Sequence, residues 1–577
     1  MVIMLKYLDK NLVQEIFNSN EFKGWLLSKR WFGDKSTLSN LDFKIILNYF
    51  EIISERILLT VIDVQKPKYT KSYFLPLIYY EKVQEILETS EKGEKESILT
   101  LTVNTFSKKI VLNVEGEQEI FTVNLVEGEY SLFFWKKILF DKDISESFPS
   151  RSLGLSLYTE QFQDDINMKK VQNLIETSLY PERYSLSLTQ LGGGNTTNTL
   201  FLLTISNNRI PGQKPFSYVL KSYKEYLESL EPTTLFILVK NQFPNAPKIY
   251  GTIKLKGKET IGVLENVPNI GNLGDIYWTE LNNMINGVFQ DSNGDYSNLT
   301  EKSTISRTIT ENCIETLKVS NEIGKYIKKL HESLIYPEKE EYNLELVESH
   351  DYLESYTEKL KSMISKLQNI MSIQTETSFF NLPKISSILI DIKDIIETLR
   401  TNFKEVRIPI QPVHQDLHME QILYNKINDQ YQFYFIDFEG DPQLTHTEKK
   451  GKFPIEKDLA SFLRALSYIK FNTFLKFIEK KVIKKDKYEV PEEILYNIIF
   501  RRAARPINKI LDVILNFLNV WESKLIGKIL KKLNADYTLI TYFYIERALY
   551  ELNYEILFRP SKIIVPILGL KEIIDKS

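Results

Sequence analysis

The sequence predicts an α+β fold in two lobes, a strand-rich one followed by a helical one. Three observations predict it. Between about 40 and 135, and again from Tyr184 to Glu265, short apolar β-rich runs alternate with charged turns. From about 268 onward, apolar residues recur at helical spacing over long segments. The acids and carboxamide that carry recognisable chemistry cluster late, within that helical part.

Taken in order, the chain is expected to open on a helix over Asn11–Leu27 and then form strands at Phe43–Tyr49, Arg56–Asp63, Ser72–Leu77 and Phe121–Leu125, with a helix over Ser131–Phe140. The second block is expected to hold strands at Leu200–Ile205, Ser217–Lys221, Lys248–Ile253 and Thr260–Glu265. Helical periodicity then predicts Ile314–Leu334, Tyr352–Ile373, Ile385–Phe403, Ile455–Ile478, Val490–Leu518 and Tyr537–Phe558. Asp291–Ser306, rich in Asn, Ser, Thr and Asp, reads as an exposed loop; its Asp-Ser-Asn-Gly-Asp run lacks the acid spacing and closing Glu of a calcium loop. There is no internal repeat.

At 577 residues the chain is long enough for two to four domains. A net charge of -3, from 73 basic and 76 acidic residues, favours neither nucleic acid nor an anionic membrane surface as a partner. The single Cys313 cannot form an internal disulfide, which suits a reducing compartment. No apolar stretch approaches the ~20 residues a bilayer requires, and the Met1–Lys6 start is too short for a signal peptide. The expectation is a cytoplasmic protein with no membrane contact.

The most informative segment is His414-Gln415-Asp416-Leu417-His418-Met419-Glu420-Gln421, followed at the end of an apolar run by Ile436-Asp437-Phe438-Glu439. Phosphoryl transfer from ATP needs these groups: Asp416 to accept the proton of an acceptor hydroxyl, Gln421 and Asp437 to offer oxygens to a Mg²⁺ that bridges the phosphates. Glu439 is either a second metal contact or a hydrogen-bond partner for nearby backbone. Protein kinases space an Asp and an Asn similarly and follow with Asp-Phe-Gly. Gln421 in place of Asn and Glu439 in place of Gly point toward small-molecule kinases.

Upstream, Gly192-Gly193-Gly194-Asn195-Thr196-Thr197-Asn198-Thr199 joins two expected strands. Glycines let backbone N–H groups approach phosphate oxygens, and Asn195, Thr196, Thr197 and Asn198 add donors beside Gly193 and Gly194. By itself such a stretch is equally a hairpin turn. The strand ending at Lys221, some two dozen residues on, is where a kinase fold puts the lysine that pairs with the α- and β-phosphates. Ile261–Val267 sits where an interlobe hinge belongs, with the backbone at Glu265 and Val267 available to adenine. Nucleotide would lie between the lobes.

These residues resemble the maltokinases, of the aminoglycoside-phosphotransferase-like kinases, over nearly the whole chain. Trp25–Lys35 is similar to the family's opening motif, Tyr73–Leu77 to its Tyr-x-x-Pro-Leu strand, Asn195–Thr199 to its phosphate loop, and Gly324–His331 to a helix ending in Leu-His. Asp458–Arg464 resembles the helix start after Asp-Phe-Glu, and Arg547-Ala548-Leu549-Tyr550-Glu551-Leu552-Asn553-Tyr554-Glu555 with Arg559-Pro560 resembles a C-terminal helix motif. The chain departs at Gln415, where the family has Gly, and at Arg547, where it has Lys. The glutamate partner of Lys221 is not obvious, the aligned position falling near Thr233 with Glu228 and Glu231 close by. Extra loops are expected around 285–310 and 335–385.

The resemblance implies a protein-kinase-like fold with an N-terminal cap subdomain (1–105), an intermediate N-lobe (106–267) and a helical C-lobe (268–577). It implies Mg²⁺-dependent transfer from ATP to the anomeric hydroxyl of maltose, giving maltose 1-phosphate for α-glucan synthesis. His414, Arg547, Tyr550, Glu551 and Tyr554 would hold sugar, and a trehalose–maltose isomerase (trehalose synthase) would be a functional partner. The alternatives are a kinase for glucosamine or glucose on the same scaffold, an antibiotic phosphotransferase, and a catalytically inactive nucleotide-binding scaffold.

Overall fold

The structure, a computed structural model, describes residues 8–577 apart from 34–37, 39–40, 55, 68, 81–104, 115–116, 141–152, 159–161, 163, 193–196, 211, 291–298, 374–381, 485–489, 501–504 and 560–561. The α+β class expected from the sequence is what it shows, in two compact units: Met1–Val239 with Pro247–Val267, and Lys240–Ala246 with Pro268–Ser577.

The first unit opens on helices α1 (Lys10–Asn18) and α2 (Asn20–Ser28) rather than one helix over Asn11–Leu27. Ser19 makes the break: its hydroxyl accepts from the N–H of Phe22 as a cap while its own N–H returns to the carbonyl of Ile16. Strands β1 (Lys44–Ile53), β2 (Ile57–Lys66), β3 (Tyr69–Phe74), β4 (Leu77–Tyr80), β5 (Thr105–Val114) and β6 (Glu117–Glu127) form an antiparallel sheet in the order β1-β2-β4-β6-β5, with β3 also on β2. The strand expected over Ser72–Leu77 divides at Leu75-Pro76, where proline has no N–H to give a ladder.

Helices α3 (Leu132–Phe140) and α4 (Asp165–Leu179) lead to a second six-stranded antiparallel sheet. It holds β7 (Leu153–Leu157), β8 (Tyr184–Leu191), β9 (Thr199–Asn207), β10 (Phe216–Ser222), β11 (Ile249–Leu255) and β12 (Lys258–Glu265), in the order β7-β11-β12-β10-β9-β8. Between β10 and β11 runs α5 (Leu230–Lys240). One apolar core joins both sheets through α3, whose Phe134 and Trp135 are fully buried among Val61, Phe74, Phe201 and Leu220.

The second unit is helical: α6 (Leu273–Gln290), α7 (Lys302–Asn312), α8 (Ile314–Leu334), α9 (Ser349–Ile373), α10 (Leu382–Asn402), α11 (Glu456–Phe477), α12 (Glu492–Phe500), α13 (Arg505–Leu530), α14 (Tyr537–Phe558) and α15 (Ile564–Lys576). Helices α8 and α14 match their expected bounds. Of the extra segments, 285–310 holds the end of α6 and α7, and 335–385 holds α9, which covers the helix expected over Tyr352–Ile373; within Asp291–Ser306, 291–298 lie outside the described residues and Lys302 starts α7. The single helix expected over Val490–Leu518 is described as α12 and α13 on either side of 501–504. Helix α8 crosses α13 so closely that a Cβ on Gly324 would stand 2.1 Å from the carbonyl oxygen of Ile529, so only glycine fits there. Two small antiparallel sheets complete the unit: β13 (Gly271–Asn272) with β16 (Ile422–Ile427) and β17 (Gln430–Phe435), and β14 (Glu345–Glu348) with β15 (Arg407–Ile410). Among the described residues, no helix is long and apolar enough to cross a membrane.

Candidate active site

In the first unit Lys221 sits on β10 between β9 and β12 and is buried. Its Nζ lies 2.7 Å from Glu231 Oε2, in the first turn of α5, so Glu231 is the acid that sequence alignment left undecided. Tyr223 donates its hydroxyl to the same Glu231 oxygen at 2.9 Å. A strand lysine fixed by a glutamate of the following helix is the pairing that kinases use to hold phosphates.

Gly193, Gly194, Asn195 and Thr196, expected in a phosphate loop, lie outside the described residues. Thr197 is exposed, whereas Asn198 is buried and its Oδ1 accepts the backbone N–H of Lys224 at 3.1 Å. That bond fastens the loop's end to the chain just past Lys221. Lys224 is itself fully buried, with Nζ on Glu129 and 3.8 Å from Glu127. Glu127 also takes Lys29 at 2.8 Å and the indole N–H of Trp31 at 2.6 Å, which is how the tryptophan-rich opening motif is used. Burial pushes the carboxyl of Glu129 up and the amine of Lys29 down. Glu265, at the end of β12, takes Lys170 at 2.9 Å through its side chain and gives its own N–H to Lys248 at 2.7 Å; Val267 is buried beyond it.

In the second unit, the loop 411–421 runs from β15 to β16. Asp458, in the first turn of α11 and fully buried, holds it from below. Its Oδ2 accepts the N–H of His414 at 2.8 Å, and its Oδ1 that of Gln415 at 2.7 Å. His331, ending α8, lies 2.9 Å from Oδ2. Burial works to raise the Asp458 carboxyl, but the bond to His331, the neighbouring imidazoles and the loop N–H outweigh it and hold it below the usual range.

His414 is 1% exposed, with Nε2 2.9 Å from the carbonyl oxygen of Ile436 and its ring against Phe438. Buried there, it has no surface for sugar, so the expected sugar contact at His414 is replaced by a bracing role between the 411–421 loop and the Asp437 turn. Asp416 reaches out of that loop, 2.7 Å from Nη1 of Arg547 on α14. Burial opposes the charge on Arg547, but Asp416 first, and then Tyr550, Glu551 and Asp441, hold its pKa above that of a free guanidinium. His418 Nε2 is 3.8 Å from Asp416, with burial lowering its pKa against that carboxylate's attraction.

Gln421 Nε2 donates to Asp437 Oδ2 at 3.0 Å, bringing the carboxamide and the second acid together. Asp437 has φ +67, a left-handed backbone rare outside glycine, which turns its carboxylate back to the loop. Glu439 follows in the turn, half-buried. Among the described residues, no group of three or more His, Cys, Asp or Glu is placed to hold a metal ion. One carboxylate beside one amide fits Mg²⁺, an ion that takes few protein oxygens and fills its octahedron with phosphates and water. Turned over, the Gln421 amide presents its oxygen where its nitrogen stands.

Beside Arg547, which meets Asp416, α14 carries Tyr550, Glu551 and Tyr554. Glu551 is engaged by the fully buried Arg464 of α11, at 2.8 Å and 2.9 Å. Arg547 stacks over the ring of Tyr550, whose phenol burial pushes up, and Arg559 over that of Tyr554. Asp458, Arg464 and Asp441 were not picked out as functional by sequence reasoning. Asp458 stood out in the sequence only as the start of a helix motif, because an acid opening a helix ordinarily only complements the helix dipole.

No known protein family and no curated protein matches the chain. Among solved structures, a glucosamine kinase in complex with glucosamine, ADP and inorganic phosphate is similar over 92% of this chain and 95% of that one, at 12% identity and a TM-score of 0.48. A second crystal form of a glucosamine kinase covers 92% and 94%, at 13% identity and a TM-score of 0.45. A choline kinase from Cryptosporidium parvum Iowa II covers 70% and 96%, at 10% identity and a TM-score of 0.27. Likeness this distant assigns no activity to this chain.

Proposed function

We propose that this chain phosphorylates a sugar from Mg²⁺-ATP, with the anomeric hydroxyl of maltose as acceptor and maltose 1-phosphate as product. The observation that carries the reading is one loop holding Asp416 against Arg547 while Gln421, five residues on, meets Asp437 at 3.0 Å. Base and metal ligands are thereby fixed on one short piece of chain.

Asp416 orients the acceptor hydroxyl and takes its proton as the oxygen attacks the γ-phosphorus; the bond to the β-phosphate oxygen breaks and ADP leaves. Lys221, held by Glu231, would pair with the nucleotide phosphates. Gln421 and Asp437 would hold Mg²⁺, which supplies charge neutralisation across the transferring phosphates. Arg547, Tyr550 and Tyr554 form the sugar-facing strip, the rings for stacking and the hydroxyls for bonding. The carboxylates beside that strip, Asp416 on the loop and Glu551 on α14, are each matched by a guanidinium, which favours an uncharged sugar over an amino sugar. A trehalose–maltose isomerase would supply such an acceptor.

The test is ADP release with Mg²⁺-ATP against maltose, glucose, glucosamine, trehalose and an aminoglycoside. Maltose-dependent turnover that vanishes in Asp416→Ala supports the reading. Turnover with glucosamine or glucose alone keeps the kinase and overturns the acceptor; none with any sugar, despite ATP binding, favours the inactive scaffold.

A further inference from the structure

Gln415 occupies a backbone conformation that suits glycine, φ +70, immediately before Asp416, and it is 5% exposed. A glycine would adopt it freely, so a long side chain here runs against the backbone preference. What the side chain does is visible in its contacts. Its Nε2 donates to the carbonyl oxygen of Lys449 at 2.6 Å, and its Oε1 takes the N–H of Asp441 at 3.4 Å. The same oxygen packs against Gly440, where a Cβ would stand only 2.8 Å from it and where φ is +78. Gln415 therefore joins three pieces: the loop carrying Asp416, the turn running from Asp437 to Asp441, and the end of the short His446–Lys449 helix.

We infer that Gln415 is a positioning residue, whose amide keeps the Asp416 loop and the Asp437 turn in register so that base and metal ligand are fixed relative to each other. The inference rests on the phosphotransferase reading above. It assigns Gln415 no contact with substrate or metal. Groups standing behind metal ligands commonly change metal affinity or activity by ~10–100-fold when removed. A glycine at 415 would satisfy the backbone better and would break the bridge, so backbone fit and function are separable at this position.

The experiment uses the full chain with Gln415→Gly and Gln415→Asn, since both residues tolerate the left-handed conformation and neither spans the gap. Three quantities are read: Tm, kcat with its Mg²⁺ dependence, and ADP affinity by calorimetry with and without Mg²⁺. The expected result is an unlowered Tm in Gln415→Gly, kcat down by ~10-fold or more, an unchanged sugar KM, and a smaller Mg²⁺-dependent gain in ADP affinity. Both variants turning over at the wild-type rate, with wild-type Mg²⁺ dependence, overturns the inference while leaving the kinase reading intact. If the wild-type chain turns over no sugar, that reading falls, and the Mg²⁺-dependent gain in ADP affinity decides alone: a loss in both variants upholds the bridge, and no change, or no gain in the wild type, overturns it.

Discussion

Arg547 and Asp416 form an ion pair at 2.7 Å, with the guanidinium on α14 and the carboxylate on the loop that Asp458 holds. Both side chains are under one-fifth exposed, so the pair is screened little by water. A carboxylate matched this way is held in one place, suited to aligning an acceptor hydroxyl. Asp416→Ala is expected to lower kcat by ~10²-fold or more, the lower range for a positioned base. Arg547→Met is expected to lower kcat and raise the sugar KM together, because it frees the carboxylate and removes a strip residue; Arg547→Lys is expected to recover part of both, a compact ammonium lacking the planar fork. Steady-state kinetics on folded variants checks this, and an unchanged kcat in Asp416→Ala removes the assignment.

Lys221 and Glu231 lie 2.7 Å apart with both side chains almost wholly buried. Removing one partner leaves a buried charge, a loss of ~3–5 kcal/mol, softened for Glu231 by the Tyr223 hydroxyl. Lys221→Met is therefore expected to lower both Tm and ATP affinity. The double variant Lys221→Met with Glu231→Leu is expected to regain Tm without regaining ATP affinity. Thermal melts beside nucleotide titrations separate the two, and ATP affinity returning with Tm would show the lysine to be structural only.

The sequence was most legible where chemistry is local. The helix periods of Ile314–Leu334 and Tyr537–Phe558 fixed their ends, because the apolar stripe and the flanking breakers agree. The Asp416–Gln421 spacing and the acid at 437 could be named because each sits in a short motif. Pairings across the chain were not legible: Glu231 is one of several acids after Lys221, and only the docking of α5 on the sheet selects it. Asp458 reaches the loop 43 and 44 residues upstream, a separation that no local pattern encodes. His414 read as a ligand from its place in the motif, yet the same motif buries it against Phe438. The Ser19 break was missed because a serine continues a helical pattern as readily as it caps one.

Gln421 and Asp437 meet through a single hydrogen bond of 3.0 Å. Asp437→Asn is expected to abolish detectable turnover by removing the only charge of that pair. Gln421→Ala is expected to leave measurable turnover with the Mg²⁺ requirement raised ~10-fold or more. Rates measured across a Mg²⁺ series, with EDTA as the zero, check both. An identical Mg²⁺ dependence in wild type and Gln421→Ala would exclude Gln421 as a ligand.

Asp458 accepts two loop N–H groups and sits 2.9 Å from His331, with its carboxyl held below the 3.8 of an unperturbed aspartate. A carboxyl whose pKa is depressed by folding contributes stability that is present above the unfolded value and lost as pH falls through the folded one. Asp458→Asn is thus expected to lower Tm at neutral pH, where the wild type keeps the full contribution. The gap should narrow only below 3.8, as the wild-type carboxyl takes up its proton. Turnover should fall as well, since the amide retains one acceptor oxygen where two are used and its nitrogen faces a loop N–H. Melting curves of both proteins across an acid series, with kcat at neutral pH, test this. A Tm difference that persists unchanged through the acid range would assign the loss to shape instead of charge, and a variant with wild-type kcat would show that the loop holds Asp416 in place without Asp458.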